Sequence, residues 1–340
     1  MNALTHTDMD LLLETLRSDM LRPLRWLGTG RRQTPLGALW PRLAPLPQSE
    51  ELLVDTEPGT RIVCHCHFQQ RAESDTALVI VHGLGGSSAS GHVIDIARHA
   101  IARGLHVVRM NMRNCGGTEH LTPTLYHSNL WQDLDAVVRR VLEDRRVRRI
   151  VLAGYSIGGN LVLNTLAHWG VEMPQVAGAV ALCPAIDVNH CVSLVDAPGN
   201  ALYRRHFVRE LVRLYRRKAA LFPMRYSPER VEDVGTLREF DRMVSAPEAG
   251  FDDVDQFYAW VSSASRLERV GAPTLVIRAL DDPVVELLPN TRARIIENPT
   301  MRIVESAGGG HCGFLEWPSL RRPDGRWAAY QIARFAALAA

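Results

Sequence analysis

The chain has 340 residues, 46% of them hydrophobic and 22% charged, a balance that fits a globular protein of one large domain or two ordinary ones. Its net charge of +2 recommends neither nucleic acid nor an acidic partner, and Lys218 is the only lysine against a background of arginine. The N-terminus has no basic region followed by a long apolar core, no stretch nears the roughly 18 apolar residues of a membrane helix, and the six cysteines lack framework spacing, so a soluble cytoplasmic protein with reduced thiols is expected.

Taken in chain order, residues 8 to 27 have an amphipathic helical pattern, and a Gly/Pro/Arg-rich stretch to Pro47 is expected to wrap the surface. Eight short segments rich in branched aliphatics then read as strands: 51–56, 61–68, 77–82, 105–111, 149–155, 176–183, 273–279 and 301–306. From the third onward most are separated by helical patterns such as HVIDIARHAIARG and WQDLDAVVRRVLEDRR. Continuously apolar strands alternating with helices predict an α/β fold, a mostly parallel eight-stranded sheet flanked by helices on both faces. The gap of about 90 residues between VALC and PTLVI is too long for a simple crossover and predicts an inserted helical cap. The expected division is an N-terminal helix and wrapping segment (1–48), a core (49–185 and 265–340) and a cap (186–264).

The fifth strand ends in Gly154-Tyr155-Ser156-Ile157-Gly158, a G-x-S-x-G sequence followed by a helical pattern. A serine in a sharp strand-to-helix turn is backbone-strained, and its neighbours must be small to avoid collision. A serine hydroxyl is a weak nucleophile near neutral pH and needs a base, which needs an orienting acid; in this setting they follow the serine in the order acid, then histidine. Of the downstream histidines, His168 lies in the helix after the serine, and His190 and His206 fall in the insertion. Only His311 follows the last strand, on the glycine-rich loop of ESAGGGHCGF. RALDDP after the seventh strand offers Asp281 and Asp282 as the acid, and spacing leaves both open. The loop His82-Gly83-Leu84-Gly85-Gly86 after the third strand is free of bulk, so backbone can approach a ligand there. The N–H groups of Leu84 and Ile157 are assigned to an oxyanion hole, and Gly83, Tyr155, Tyr126 and His127 to the substrate-binding surroundings. HGLGG lacks both G-x-G-x-x-G and a Walker lysine, which argues against nucleotide.

With those residues in place the chain resembles the α/β-hydrolase superfamily, and within it the AB hydrolase 4 group of YheT-like hydrolases and medium-chain esterases. The resemblance runs from about Arg25 to the C-terminus through RWLGTGRRQT, HGLGGSS, MNMRNCGG, LYHS, GYSIGGN, TLREFDRMVSAPEAGF, ALDDPV and GGHCGF. It implies an α/β-hydrolase fold, and it selects Asp282, the aspartate directly before proline, over Asp281; Ser156 and His311 carry over directly. One departure is Arg32, where the family usually has a histidine before Gln-Thr.

Other features weigh less. In Cys64-His65-Cys66-His67 a strand would send cysteines one way and histidines the other, which argues against a metal. Cys115 and Cys312 read as small buried thiols. Tyr126-His127-Ser128 reads as a brace or lining of the site. The arginines from Arg204 to Arg217 read as the wet face of a cap helix, in preference to a membrane-surface helix. The expected function is cleavage of short- to medium-chain carboxylic esters by Ser156, Asp282 and His311, without metal or organic cofactor, on a small-molecule or lipid ester. The alternatives are a phospholipase or acyltransferase using the same residues, or a non-catalytic binding protein on this scaffold. Oligomeric state is left open.

Overall fold

The computed structural model describes residues 10, 13–15, 18–23, 28–41, 45–69 and 74–340. Eight strands form one sheet in the order β1-β2-β4-β3-β5-β6-β7-β8. They are β1 (Glu50–Glu57), β2 (Thr60–His67), β3 (Thr76–Val81), β4 (His106–Met110), β5 (Arg149–Tyr155), β6 (Val176–Leu182), β7 (Thr274–Ala279) and β8 (Met301–Ser306). β2 runs antiparallel to β1 and β4, and every other neighbouring pair is parallel. All eight expected strands are present, with ends within one or two residues.

The period of two along β3 divides the core. Leu78 and Ile80 face one side and pack with α2 (Gly91–Ile101) and α9 (Trp327–Leu338), through Val93, Ile96, Trp327 and Phe335. Ala77, Val79 and Val81 face the other and meet α3 (Trp131–Leu142) and α4 (Ile157–Trp169), through Val137, Val138, Leu161 and Val162. β3, β5 and β6 are covered on both faces, which is why they read as unbroken apolar runs. In edge strand β1 exposed positions alternate from Glu51 on with the partly buried Leu52 and Thr56 and the buried Val54.

Between β6 and β7 lie α5 (Val188–Asp196), α6 (Ala201–Leu221), α7 (Val254–Val261) and shorter turns, one of them a π-helical turn over Asp241–Ser245. These elements share a third apolar cluster, with Val192, Leu211, Tyr215, Phe240 and Phe257 buried and Leu84 packed against it. Val208, Leu211, Leu214 and Tyr215 turn the apolar side of α6 inward, while Arg205, Arg209, Arg213, Arg216 and Arg217 are exposed. Among the described residues no helix is long and apolar enough to cross a membrane.

The N-terminal expectations need correction. Of the helix expected over 8–27, Asp10, residues 13–15 and Ser18 are helical, but Asp19 is already a turn and Pro23 pairs in an isolated bridge with Glu316. Residues 8–9, 11–12, 16–17 and 24–27 of that reading lie outside the described residues. A proline disfavours helix in the residue before it, which fits a helix that stops short of Pro23. Within the stretch expected only to wrap the surface there is a helix, α1 (Gly30–Leu39), with Pro35 inside it. Pro35 has no N–H to give the Arg31 carbonyl, and the Tyr203 hydroxyl of α6 donates to that carbonyl instead, at 3.0 Å. The C-terminal region holds the same helix: Arg326 donates to the carbonyls of Gly37 and Trp40, and the Leu315 N–H donates to the Gln33 side chain.

Candidate active site

Ser156 is the last residue before α4, with φ 56° and ψ −125°, a backbone conformation that L-residues rarely adopt. The surrounding glycines explain how that turn can exist. A Cβ on Gly154 would lie 2.3 Å from the Gly158 carbonyl oxygen, and one on Gly158 would lie 2.2 Å from that of His82. The Ser156 N–H donates to the Leu182 carbonyl at 2.9 Å, tying the turn to the end of β6.

His311 comes to the serine from the loop after β8. Its Nε2 lies 2.9 Å from Ser156 Oγ and its Nδ1 lies 2.8 Å from Asp282 Oδ2. Asp282 Oδ1 accepts the N–H groups of Val284 and Val285 at 2.8 and 2.9 Å, which fixes the carboxylate plane. Asp281 turns elsewhere: its Oδ1 accepts the Gly310 N–H at 2.8 Å and so holds the histidine loop. The two neighbouring carboxylates that spacing left open thus engage different parts of that loop, one the imidazole and one the backbone.

A residue without an assigned role in the sequence reading completes this support. Thr34 Oγ1, on α1, accepts the His311 N–H at 2.8 Å and donates to the Gly30 carbonyl at 2.7 Å. Gly30 and Gly310 are in such close approach that a Cβ on Gly310 would sit 2.4 Å from the Gly30 carbonyl. Thr34 falls in the RRQT sequence that carried part of the resemblance, but nothing local reveals a partner 277 positions away.

The loop after β3 also approaches the serine: a Cβ on Gly83 would lie 3.3 Å from the Ser156 Cβ. His82 Nδ1 is 2.8 Å from the Gly83 carbonyl, and His82 Nε2 accepts the Met112 N–H at 3.0 Å. That pair of bonds needs a neutral imidazole with its proton on Nδ1, and complete burial pushes the pKa down to about 4. The Tyr126 hydroxyl accepts the Gly85 N–H at 3.0 Å, so this tyrosine braces the loop. The N–H groups of Leu84, between the loop's anchored ends, and of Ile157, the first residue of α4, have no hydrogen-bond partner among the described residues. Gly83, Leu84, Tyr155, Ser156 and His311 line one cavity of about 750 Å³. Leu84, Tyr126, His127 and Ile157 line a second of about 100 Å³. Tyr155, whose hydroxyl burial pushes up to about 12, packs its ring against Gly83. His127 lies among Phe257 and Trp260, and burial, with Arg113 as the lesser cause, holds its pKa down to about 3.

Cys64 and Cys66 are fully buried in the core, while the histidines between and after them point to the other face, His65 half-buried. Cys183, His311 and Cys312 form a separate group with ligand atoms within 4.8 Å of one another. A cation there would compete with the bonds His311 makes to Ser156 and Asp282, and burial pushes the Cys312 thiol up, which opposes thiolate formation. Asn160, in GYSIGGN, is a further residue whose part the motif did not disclose. It bonds Ser128, the Val261 carbonyl and the Ser263 N–H, fastening the end of the insertion to α4.

This constellation, a serine hydroxyl on an imidazole on a carboxylate, can deprotonate the hydroxyl as it attacks an electrophilic carbon. Residues 78–329 match the model of the alpha/beta hydrolase family. YheT of Escherichia coli (strain K12) is 27% identical over 308 residues, covering 86% of each chain. Mouse phospholipase ABHD3 is 28% identical over 307 residues, covering 87% of this chain and 74% of the relative. The medium-chain fatty acid ethyl ester synthase/esterase 2 of Saccharomyces cerevisiae is 26% identical over 325 residues, covering 87% and 67%. In fold, the chain is similar to the 2,6-dihydroxy-pseudo-oxynicotine hydrolase (TM-score 0.57, 16% identity, 90% of this chain and 71% of that one). It is likewise similar to Est1E from Butyrivibrio proteoclasticus (TM-score 0.55, 14% identity, 84% and 97%).

Proposed function

The chain belongs to the alpha/beta hydrolase family, and from that premise we propose that it is a serine hydrolase of carboxylic esters. The observation that carries the reading is the relay of two hydrogen bonds, Ser156 Oγ to His311 Nε2 and His311 Nδ1 to Asp282. Ser156 Oγ attacks the ester carbonyl while its proton passes to His311 Nε2. The Asp282 carboxylate stabilises the imidazolium and keeps the neutral ring in the tautomer with its proton on Nδ1. The Leu84 and Ile157 N–H groups receive the oxyanion of the tetrahedral intermediate. Collapse of that intermediate breaks the bond to the alcohol oxygen, which takes the proton from Nε2 and leaves. Water, giving a proton to the same nitrogen, then releases the acid and restores the serine. Each of these steps uses only groups of the chain, the ester and water.

The helices between β6 and β7 act as a cap in this reading, since α6 supplies Tyr203, His206 and Phe207 to the wall of the large cavity. The names of the relatives, an esterase and a phospholipase among them, support an ester or lipid ester as substrate. The test is labelling with a fluorophosphonate probe followed by peptide mapping. A single adduct on Ser156, absent in Ser156→Ala and formed far more slowly in Asp282→Asn, is expected. A native protein that takes no label, or takes it elsewhere, contradicts the proposal.

A further inference from the structure

We infer that the two cavities divide the ester between them: the small apolar cavity behind Leu84 and Ile157 takes a short acyl chain, and the large cavity takes a bulky alcohol. This rests on the hydrolase reading above and goes beyond it by naming the class of substrate. The argument begins at the tetrahedral carbon, which has four substituents. One is Ser156 Oγ. A second is the oxyanion, on the N–H groups of Leu84 and Ile157. The third, the leaving oxygen, must lie against His311, because it takes its proton from Nε2. His311 lines the large cavity and not the small one. The alcohol therefore extends into the large cavity.

The fourth substituent, the acyl chain, points away from the leaving group. On that side Ser156 lines the large cavity, Ile157 lines only the small one and Leu84 lines both, so the two cavities adjoin at Leu84 and the acyl chain reaches the small one past the Leu84 and Ile157 side chains, beside the oxyanion. Beyond them the wall is Val192, Leu211, Phe240, Phe257 and Val261, all buried and all drawn from the insertion's own apolar cluster. Four of its polar members have partners outside the cavity's lumen: the Asp241 carboxylate accepts the Tyr258 hydroxyl at 3.0 Å, the Ser128 hydroxyl donates to the Val261 carbonyl, the Tyr126 hydroxyl accepts the Gly85 N–H, and His127 Nδ1 accepts the Asn129 N–H. The occupant that suits such a wall is a saturated hydrocarbon chain.

Volume sets the length. A methylene is close in size to a water molecule, whose share of liquid volume is roughly 30 Å³. A cavity of about 100 Å³ therefore holds three or so carbons beyond the carbonyl, a butyryl or pentanoyl chain. The large cavity, at about 750 Å³, accommodates a far bulkier alcohol.

The experiment is kcat/KM on p-nitrophenyl esters from acetate to dodecanoate, and on methyl and naphthyl butyrate, for the native protein and three variants. The native protein is expected to peak near butyrate or pentanoate and to fall at least roughly tenfold by octanoate, given the cost of misfitting a hydrophobic pocket by a methylene. Leu211→Ala should move the peak two or three carbons longer, and Val192→Phe should move it toward acetate. Phe207→Ala, in the large cavity, should change the ratio of naphthyl to methyl butyrate and leave the acyl peak in place. An acyl peak that follows Phe207→Ala and ignores the other two variants reverses the assignment. A native optimum at decanoate or beyond overturns it as well. Failure of the hydrolase reading looks different: no ester is turned over by any variant, and Ser156 takes no fluorophosphonate.

Discussion

Ser156 and His311 meet at 2.9 Å, yet they are held by opposite means. The serine is positioned by its own neighbours in sequence: a strand end, a strained turn and glycines at 154 and 158 whose missing side chains make room for the backbone. The histidine sits on a loop with its own local turn, Phe314 N–H to the Gly309 carbonyl, but that loop is docked from a distance, by Thr34 and Gly30 on α1 and by Asp281 after β7. A locally built turn leaves its whole signature in five residues, whereas a loop braced by tertiary contacts shows its glycines but not the residues that hold it.

Substitutions sharpen that contrast. Asp282→Asn preserves the shape of the relay but favours the wrong imidazole tautomer, and turnover should fall about 10⁴-fold with Tm nearly unchanged. On the serine side, Gly158→Ala places a methyl 2.2 Å from the His82 carbonyl oxygen, so the backbone must shift. An ångström of displacement at a nucleophile costs on the order of 10²-fold in kcat, and a crystal structure of this variant should show the turn moved. On the histidine side, Thr34→Val removes the acceptor of the His311 N–H while keeping the volume of the side chain. A loss of roughly tenfold in kcat with KM unchanged is expected, restored by Thr34→Ser. Full activity in Thr34→Val would mean that the loop needs no support from α1.

The smallest effect is on stability. His82 and His127 are held neutral by burial, with pKa values down to about 4 and about 3 against an ordinary 6.5. As pH falls below 6.5 the unfolded chain binds protons at both sites and the folded chain does not, so folding stability falls between pH 6.5 and about 4. Asp241 opposes this: burial raises its pKa to about 6, so in the window from 6 down to 3.8 the folded state binds the extra proton. His67, also down to about 4, and His65, His106 and His168 are lowered by burial as well, against the raised Asp133 and Asp187, so the histidines outnumber the acids and Tm should decline on acidification from pH 7 to 4.5. A Tm that holds level across that range would contradict the neutral histidine that pins the loop after β3.

How much could be read in advance follows the same division. The strands were legible because burial on both faces makes them continuously apolar, and RIVLAGY and MRIVES were placed to the residue. The sheet puts strand ends together, which is why the expected Ser156, His311 and Asp281–Asp282 lie side by side, and in the sequence only the family resemblance separates the two acids. α1 was invisible: GRRQTPLGAL has two glycines, an internal proline and no acid in its first turn, and it persists because Tyr203 and Arg326 satisfy its carbonyls. His82 and Asn160 stand inside motifs the sequence shows, but their partners, brought in by the fold, leave no mark there; Tyr126 reads from the sequence as a brace or lining, and its partner, the Gly85 N–H, comes from the fold.

The most direct measurement is steady-state hydrolysis of p-nitrophenyl butyrate by the native protein and Ser156→Ala, with Tm recorded for both. A fall of about 10⁶-fold at equal Tm is the predicted result. Hydrolysis by the alanine variant at a rate near that of the native protein would contradict the assignment of Ser156 as nucleophile, and with it the account of the site.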